Sequence, residues 1–97
     1  MAARIVWTPQ AKIDRFDILN FYHESGTPKS TLTKLDNKIR NIIEYLSYFP
    51  ELGVAYKSKN ARILYKDNYS IIYRIENEEI LILQIWDNRQ DPKNLPL

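Results

Sequence analysis

Leu32, Leu35, Ile39, Ile42, Ile43, Leu46 and Phe49 recur at intervals of three and four residues. That is the period of an α-helix that buries one stripe and gives the rest of its surface to water. Pro50 cannot continue such a helix and Gly53 opens an irregular loop, so the element ends near Tyr48. Thr27-Pro28 supplies the start, a capping side chain followed by a ring whose fixed φ suits the first turn. A helix with one apolar stripe needs an apolar surface to lie on, and the rest of the chain must provide it.

Part of that surface is a second helix. Arg4 to Trp7 is a short apolar run closed by Thr8-Pro9, which reads as a strand and then a capped helix from Pro9 to about Glu24. Its stripe is Ala11, Ile18, Leu19 and Tyr22, interrupted by Arg15 and flanked by Phe16 and Phe21, and Ser25-Gly26 stops it. The short connection to the next helix makes the two antiparallel neighbours.

From Asn60 the period becomes two. Ala61, Ile63 and Tyr65 alternate with Arg62 and Leu64, and after a turn at Lys66-Asp67-Asn68, Tyr69, Ile71, Tyr73 and Ile75 alternate with Ser70, Ile72 and Arg74. Asn77-Glu78-Glu79 turns the chain into Ile80 to Trp86, a nearly unbroken apolar run that fits a central strand covered on both faces. The tail from Asp87 to Leu97 reads as irregular. The order β-α-α-β-β-β predicts an α+β fold, a helical hairpin packed on one face of an antiparallel sheet, with the other face left free.

Ninety-seven residues enclose one modest core, so residues 1–97 are read as a single domain. No cysteine is present, which fits a reducing compartment, and no run approaches the roughly 20 apolar residues of a membrane span. With no secretion signal in the amino-terminal pattern, the expected location is the cytoplasm, with no membrane partner. The net charge of +2 identifies no polyanionic partner by itself, but Lys57, Lys59, Arg62 and Lys66 lie close in sequence with no acid among them. Folding is expected to bring these four onto one edge, able to meet phosphates or an acidic protein surface.

Arg62 alternates with apolar Ala61 and Ile63, which predicts that it projects from the face opposite theirs, the one the helices leave open. Arg74 and Arg89 complete the candidate target-binding set. Tyr65, Tyr69 and Tyr73 share parity with Ile63, Ile71 and Ile75 and are assigned to the core, and Trp86 is read as a core plug. The single histidine, His23, near the end of the first helix, is read as a surface residue and not a general base. Asp14 with Asp17, or Asp87 with Asp91, lack clustered histidine or cysteine, so no metal and no cofactor are assigned. Arg89 is expected to be exposed beyond the last strand, in contact with a partner or paired with Asp87 or Asp91.

Several of these segments resemble, in order, the RelE/ParE toxin superfamily of bacterial type II toxin–antitoxin systems, also known as plasmid stabilisation proteins. The opening Val6-Trp7-Thr8-Pro9 with Ala11, Ile18 and Tyr22 is similar to the family's amino-terminal signature. Phe49-Pro50 and Gly53 resemble its helix exit, Arg62 its second-strand arginine, Asn68 to Ile75 its third strand, and Ile85 to Pro92 the close of its fourth. The resemblance covers essentially the whole chain and implies a growth-inhibiting toxin bound by a cognate antitoxin, as a homodimer or a toxin–antitoxin hetero-oligomer.

The resemblance implies one of two targets, DNA gyrase for ParE-like members or mRNA on the ribosome for RelE-like endoribonucleases. RelE-like members use clustered cations and a late tyrosine, for which Lys57, Lys59, Arg62 and Arg89 would have to serve here. Ser70 stands where that pattern carries an arginine, and no tyrosine follows Tyr73. These departures tilt the reading toward the ParE side, where inhibition is by binding. An inactive member that only binds its antitoxin is the third reading.

Overall fold

The computed structural model describes residues 2–90, apart from the side chains of Ser58 and Lys59. The elements run β1 (Arg4–Trp7), α1 (Pro9–Glu24), α2 (Lys29–Tyr48), β2 (Val54–Tyr56), β3 (Ser58–Lys66), β4 (Tyr69–Glu76) and β5 (Glu79–Asp87). The strands form one sheet in the order β1-β5-β4-β3-β2. The helical hairpin, the following hairpins and the central place of β5 are as the periodicities imply. Asp91, Pro92 and the rest of the expected irregular tail lie outside the described residues.

Three features add to that expectation. β1 joins the far side of β5 in parallel, with Arg4 opposite Glu79 and Trp7 opposite Ile82, so the sheet is mixed. Where a loop was expected after Gly53, the short β2 pairs with β3 and extends the opposite edge. Pro28, not Thr27, occupies the position before α2 and makes no side-chain cap, while Thr27 donates its amide to Tyr22 O at 3.0 Å. Thr8 does cap α1: its Oγ1 accepts from Ala11 N at 3.3 Å and donates to Ile82 O at 2.6 Å, pinning the helix entry to β5.

The helices cover one face. Ile39, Ile43 and Leu46 of α2 and Ala11 and Ile18 of α1 pack on Leu64, Ile71, Tyr73, Ile80, Ile82 and Ile85. A bulge explains why β5 reads as an unbroken apolar run. Ile72 pairs with Gln84 and Tyr73 with Ile82, so Leu83 is an extra residue that shifts parity and lets both Ile82 and Ile85 face the helices. Arg15 of α1 clamps Asp36 of α2 through two charge-assisted hydrogen bonds, one of 2.7 Å, which hold the carboxyl below the usual carboxylate range against the opposing effect of burial.

Arg62 is not on the open face. It lies opposite Tyr73, two residues from Leu64, and all three share the face that carries the helices. The parity argument failed because β3 is apolar on both sides: Ile63 and Leu64 are both buried, so alternation with Ile63 does not say which face is open. The second face is itself less bare than expected, since Ala61, Ile63 and Ile72 are buried there. Tyr65 pairs with Ser70 on that face and is 59% exposed, so of the three tyrosines only Tyr69 and Tyr73 are in the core.

The turn between β4 and β5 holds Asn77 at φ 48° and Glu78 at φ 64°. Two left-handed residues in succession are the signature of the tight hairpin turn that favours Asn-Gly. Glu78 carries a Cβ in a conformation that disfavours one by ~1 kcal/mol. Glu78→Gly is therefore expected to stabilise the fold by roughly 0.5–1 kcal/mol, the relief being partly offset by glycine's freedom in the unfolded chain. A urea midpoint equal to or below that of the parent would contradict the turn geometry.

Candidate functional site

The nominated cations whose side chains are described do not all converge. Lys57, at φ 48° in the one-residue connection between β2 and β3, rests its ammonium 5.5 Å from the Tyr56 ring. Lys66 ends β3, and at ~3.3 Å per residue the strand between them is about 26 Å long. The two therefore occupy opposite ends of the sheet and not one edge. Lys59 belongs to β3, and its side chain lies outside the described residues.

Arg62 points at the loop after α2: its Nε donates to Gly53 O at 3.0 Å and a terminal nitrogen to Glu51 O at 3.2 Å. Arg74, on the second face opposite Ala61, pairs with Glu76 at 3.1 Å. His23 is exposed near the end of α1, as expected. Trp86 is half-buried on the second face, beside Ser70. Among the described residues, no group of three or more histidines, cysteines or acids could hold a metal ion, and no helix is long and apolar enough to cross a membrane.

Among the nominated cations whose side chains are described, Arg89 is the one held by an acid and two aromatic rings together. It follows β5, where Asp87 turns a fully buried carboxylate toward the helices. That carboxylate accepts from Tyr22 OH at 2.8 Å, Arg89 N at 2.9 Å and Arg89 Nε at 3.3 Å. The guanidinium lies 5.5 Å from the Tyr22 ring and 5.6 Å from the Tyr69 ring, and it also donates to Tyr69 OH at 3.2 Å. Gln90 ties the turn to α1 by donating to Ile18 O at 3.3 Å. Arg89 thus keeps 43% of its side chain exposed while the rest is fixed by one acid and two aromatic faces, an arrangement suited to presenting a cation to a partner.

The expected Arg89–Asp87 ion pair is present. The parts that sequence reasoning missed are Tyr22 and Tyr69, and the only signal for Asp87 was an acid placed directly after an apolar strand.

Burial raises the Tyr22 and Tyr69 phenols above their ordinary range, and the Asp87 charge raises them further. A group whose folded pKa is raised contributes stability that is fully present below its unfolded pKa, about 10 for tyrosine, and lost as pH rises through the folded value. Unfolding free energy is therefore expected to fall above about pH 10, and to fall less steeply in Tyr22→Phe. Parallel alkaline limbs in the two proteins would argue against the Tyr22–Asp87 hydrogen bond.

A second feature is a groove of about 850 Å³ along the outer edge of β1, between that strand and the two helices. Arg4, Lys12, Arg15 and Arg40 line it with Ile5, Val6, Trp7, Ile43 and a single acid, Glu44. Sequence reasoning missed it because Lys12, Arg15 and Arg40 lie in two helices whose charges look like ordinary solvated faces.

Residues 5–92 match the model of a family described as the ParE toxin of the type II toxin–antitoxin system parDE. The fold is similar to that of a chain in the chromosomal ParDE system from P. aeruginosa, at 23% identity over 87% of this chain and 94% of that one, with a TM-score of 0.73. It is also similar to a chain in the toxin–antitoxin complex RelBE2 from Mycobacterium tuberculosis, at 18% identity over 88% and 96% of the two chains, with a TM-score of 0.64. At these identities the likeness is one of fold. No curated protein matches the chain.

Proposed function

We propose, from the premise that this chain belongs to the family of ParE toxins of type II toxin–antitoxin systems, that it arrests growth by binding a cytosolic target, DNA gyrase, and is silenced by a cognate antitoxin. Inhibition by binding needs a presented surface, whereas metal-free RNA cleavage needs a base, an acid and cations gathered around one phosphate. The observation that carries the reading is the way the nominated cations are engaged. Arg62 is bonded to the carbonyls of Gly53 and Glu51, Lys57 links β2 to β3, and Arg89 follows the far end of β5. Held this way they would not surround a common phosphate, while Arg89, half-exposed and braced by Asp87, Tyr22 and Tyr69, suits a protein contact. An antitoxin partner is in keeping with the family and with the complexes in which the two similar folds occur.

Induced expression in bacteria tests the reading. Filamentation with a DNA-damage response, relieved by co-expressing the product of a short acidic gene adjacent to this one, is the expected result. Purified protein is expected to inhibit supercoiling by gyrase. Fragmented mRNA with stalled translation would replace this reading with ribonuclease action, and unimpaired growth would replace it with an inactive, antitoxin-binding member.

A further inference from the structure

We infer that a second copy of this chain docks on the β2 edge, the two sheets joining antiparallel across a two-fold axis at Ala55 while the aromatic side of α2 packs against its mate. Among the described residues β2 is the end strand on its side and pairs only with β3. Beside it Tyr45, Tyr48, Phe49, Leu52 and Val54 are each at least half exposed, and large apolar side chains gathered in this way mark a contact surface where scattered ones would not. They belong to one surface. Lys38 stands on the same side of α2 as Tyr45 and Phe49, two and three turns earlier, and it reaches Asp67 in the turn after β3 at 3.9 Å. Arg40 and Glu44 take the opposite side of the helix, in the groove beside β1. The aromatic row therefore overhangs the β3–β2 edge, and the loop after α2 carries it on to Val54.

Self-complementarity selects the occupant. A two-fold interface needs one patch that matches itself. Antiparallel pairing about Ala55 sets Val54 against Tyr56 of the other copy and Lys57 against Gly53, close to Glu51. Glu51 and Lys57 are exposed, and neither enters an ion pair among the described residues, so each copy offers an acid where the other offers a base. An axis of this kind runs perpendicular to the sheet, which puts both helical layers on the same face and lets the two aromatic rows meet. The surface is also set before binding. Tyr45 and Phe49 stack at 5.4 Å, and Tyr73 and Arg62 tie down the loop between them and β2, which lowers the ordering cost of association. Strand pairing over so short an edge makes few hydrogen bonds, so apolar area must carry the contact. Three rings that can each bury ~150–250 Å², with Leu52 and Val54 beside them, put roughly 500 Å² of bare apolar surface on each copy and about 1,000 Å² across the axis, the least that a specific interface needs. The β1 groove lies at the opposite edge of the sheet and stays open in the dimer.

The test is sedimentation velocity of the whole protein over a wide range of concentration, with a reversible dimer as the expected result. Tyr48→Glu should weaken the dimer roughly tenfold or more, and its thermal midpoint at high dilution should match the parent because the site is exposed. Glu51→Lys and Lys57→Glu should each weaken it about fivefold, and the double exchange should restore it. The chain has no cysteine, so Ala55→Cys reads the register: residues directly opposite in antiparallel strands stand ~4.5–5.5 Å apart between Cα atoms, within disulfide range. Mild oxidation should link Ala55→Cys copies much faster than copies of Arg4→Cys, an exposed position on the β1 edge. The inference is overturned if the protein is monomeric at every concentration, if Tyr48→Glu dimerises as tightly as the parent, if the double exchange is no tighter than the single reversals, or if Ala55→Cys links no faster than Arg4→Cys. A monomer whose Val54 and Ala55 amides are protected from hydrogen exchange only once the adjacent acidic protein is added would give this edge to that partner, and would overturn it as well.

Discussion

Gly53→Ala is expected to destabilise the protein by about 3 kcal/mol or more, the sum of overpacking and damaged buried hydrogen bonds. A Cβ at Gly53 would lie 2.7 Å from Ile63 O and 2.8 Å from both Cε1 and OH of Tyr73. Neither neighbour can give way cheaply. Ile63 O belongs to the backbone of β3, and the Tyr73 ring is fully buried between its neighbours. The same phenol accepts from Gly53 N at 2.9 Å and donates to Pro50 O at 2.7 Å, while Arg62 Nε donates to Gly53 O. Any shift that relieves the clash breaks at least one of these bonds. Chemical denaturation measures the loss, with Tyr73→Phe as the companion, expected to cost ~1–3 kcal/mol for the stranded amide and carbonyl. An alanine variant within ~0.5 kcal/mol of the parent, the ordinary range of surface substitutions, would show that the close approach does not exist in solution. If the loss is found, Arg62 has a structural role at this loop, and its effect on toxicity should track its effect on stability.

That role shows where the sequence was legible. The α2 stripe could be read because a helix packed on one side shows its burial in its period, and Pro50 and Gly53 bounded it for steric reasons that hold in any context. The hairpins of β3, β4 and β5 were equally clear. The partner of β1 was not, because a four-residue run carries no signal for which sheet edge it joins or in which direction. Nor was the face of Arg62: once Ile63 and Leu64 are both apolar, period two has two solutions, and the choice depends on the loop carbonyls that receive the guanidinium. The surroundings of Arg89 were hidden for a related reason. Tyr22 and Tyr69 stand 47 residues apart in the chain and meet only through the packing of α1 beneath the sheet.

Asp87 carries the other large effect. Asp87→Ala is expected to cost about 3–5 kcal/mol, the usual penalty for removing one partner of a buried ion pair. The carboxylate has no exposed surface and receives hydrogen bonds from Tyr22 OH, Arg89 N and Arg89 Nε, so alanine would take the acceptor from all three donors and leave the half-buried phenol and amide without one. Asp87→Asn keeps the shape and one acceptor while removing the charge, and the cost should fall to ~1–3 kcal/mol. The asparagine variant is the informative one for function, because it leaves the fold populated and takes away what orients Arg89. If Arg89 acts as a presented cation, Asp87→Asn should blunt growth arrest nearly as much as Arg89→Ala does, at matched levels of folded protein. Full toxicity in Asp87→Asn alongside its loss in Arg89→Ala would mean that the guanidinium reaches its target without the brace. Full toxicity in both would remove this cluster from the target-binding surface and leave it a purely structural tie between α1 and β5.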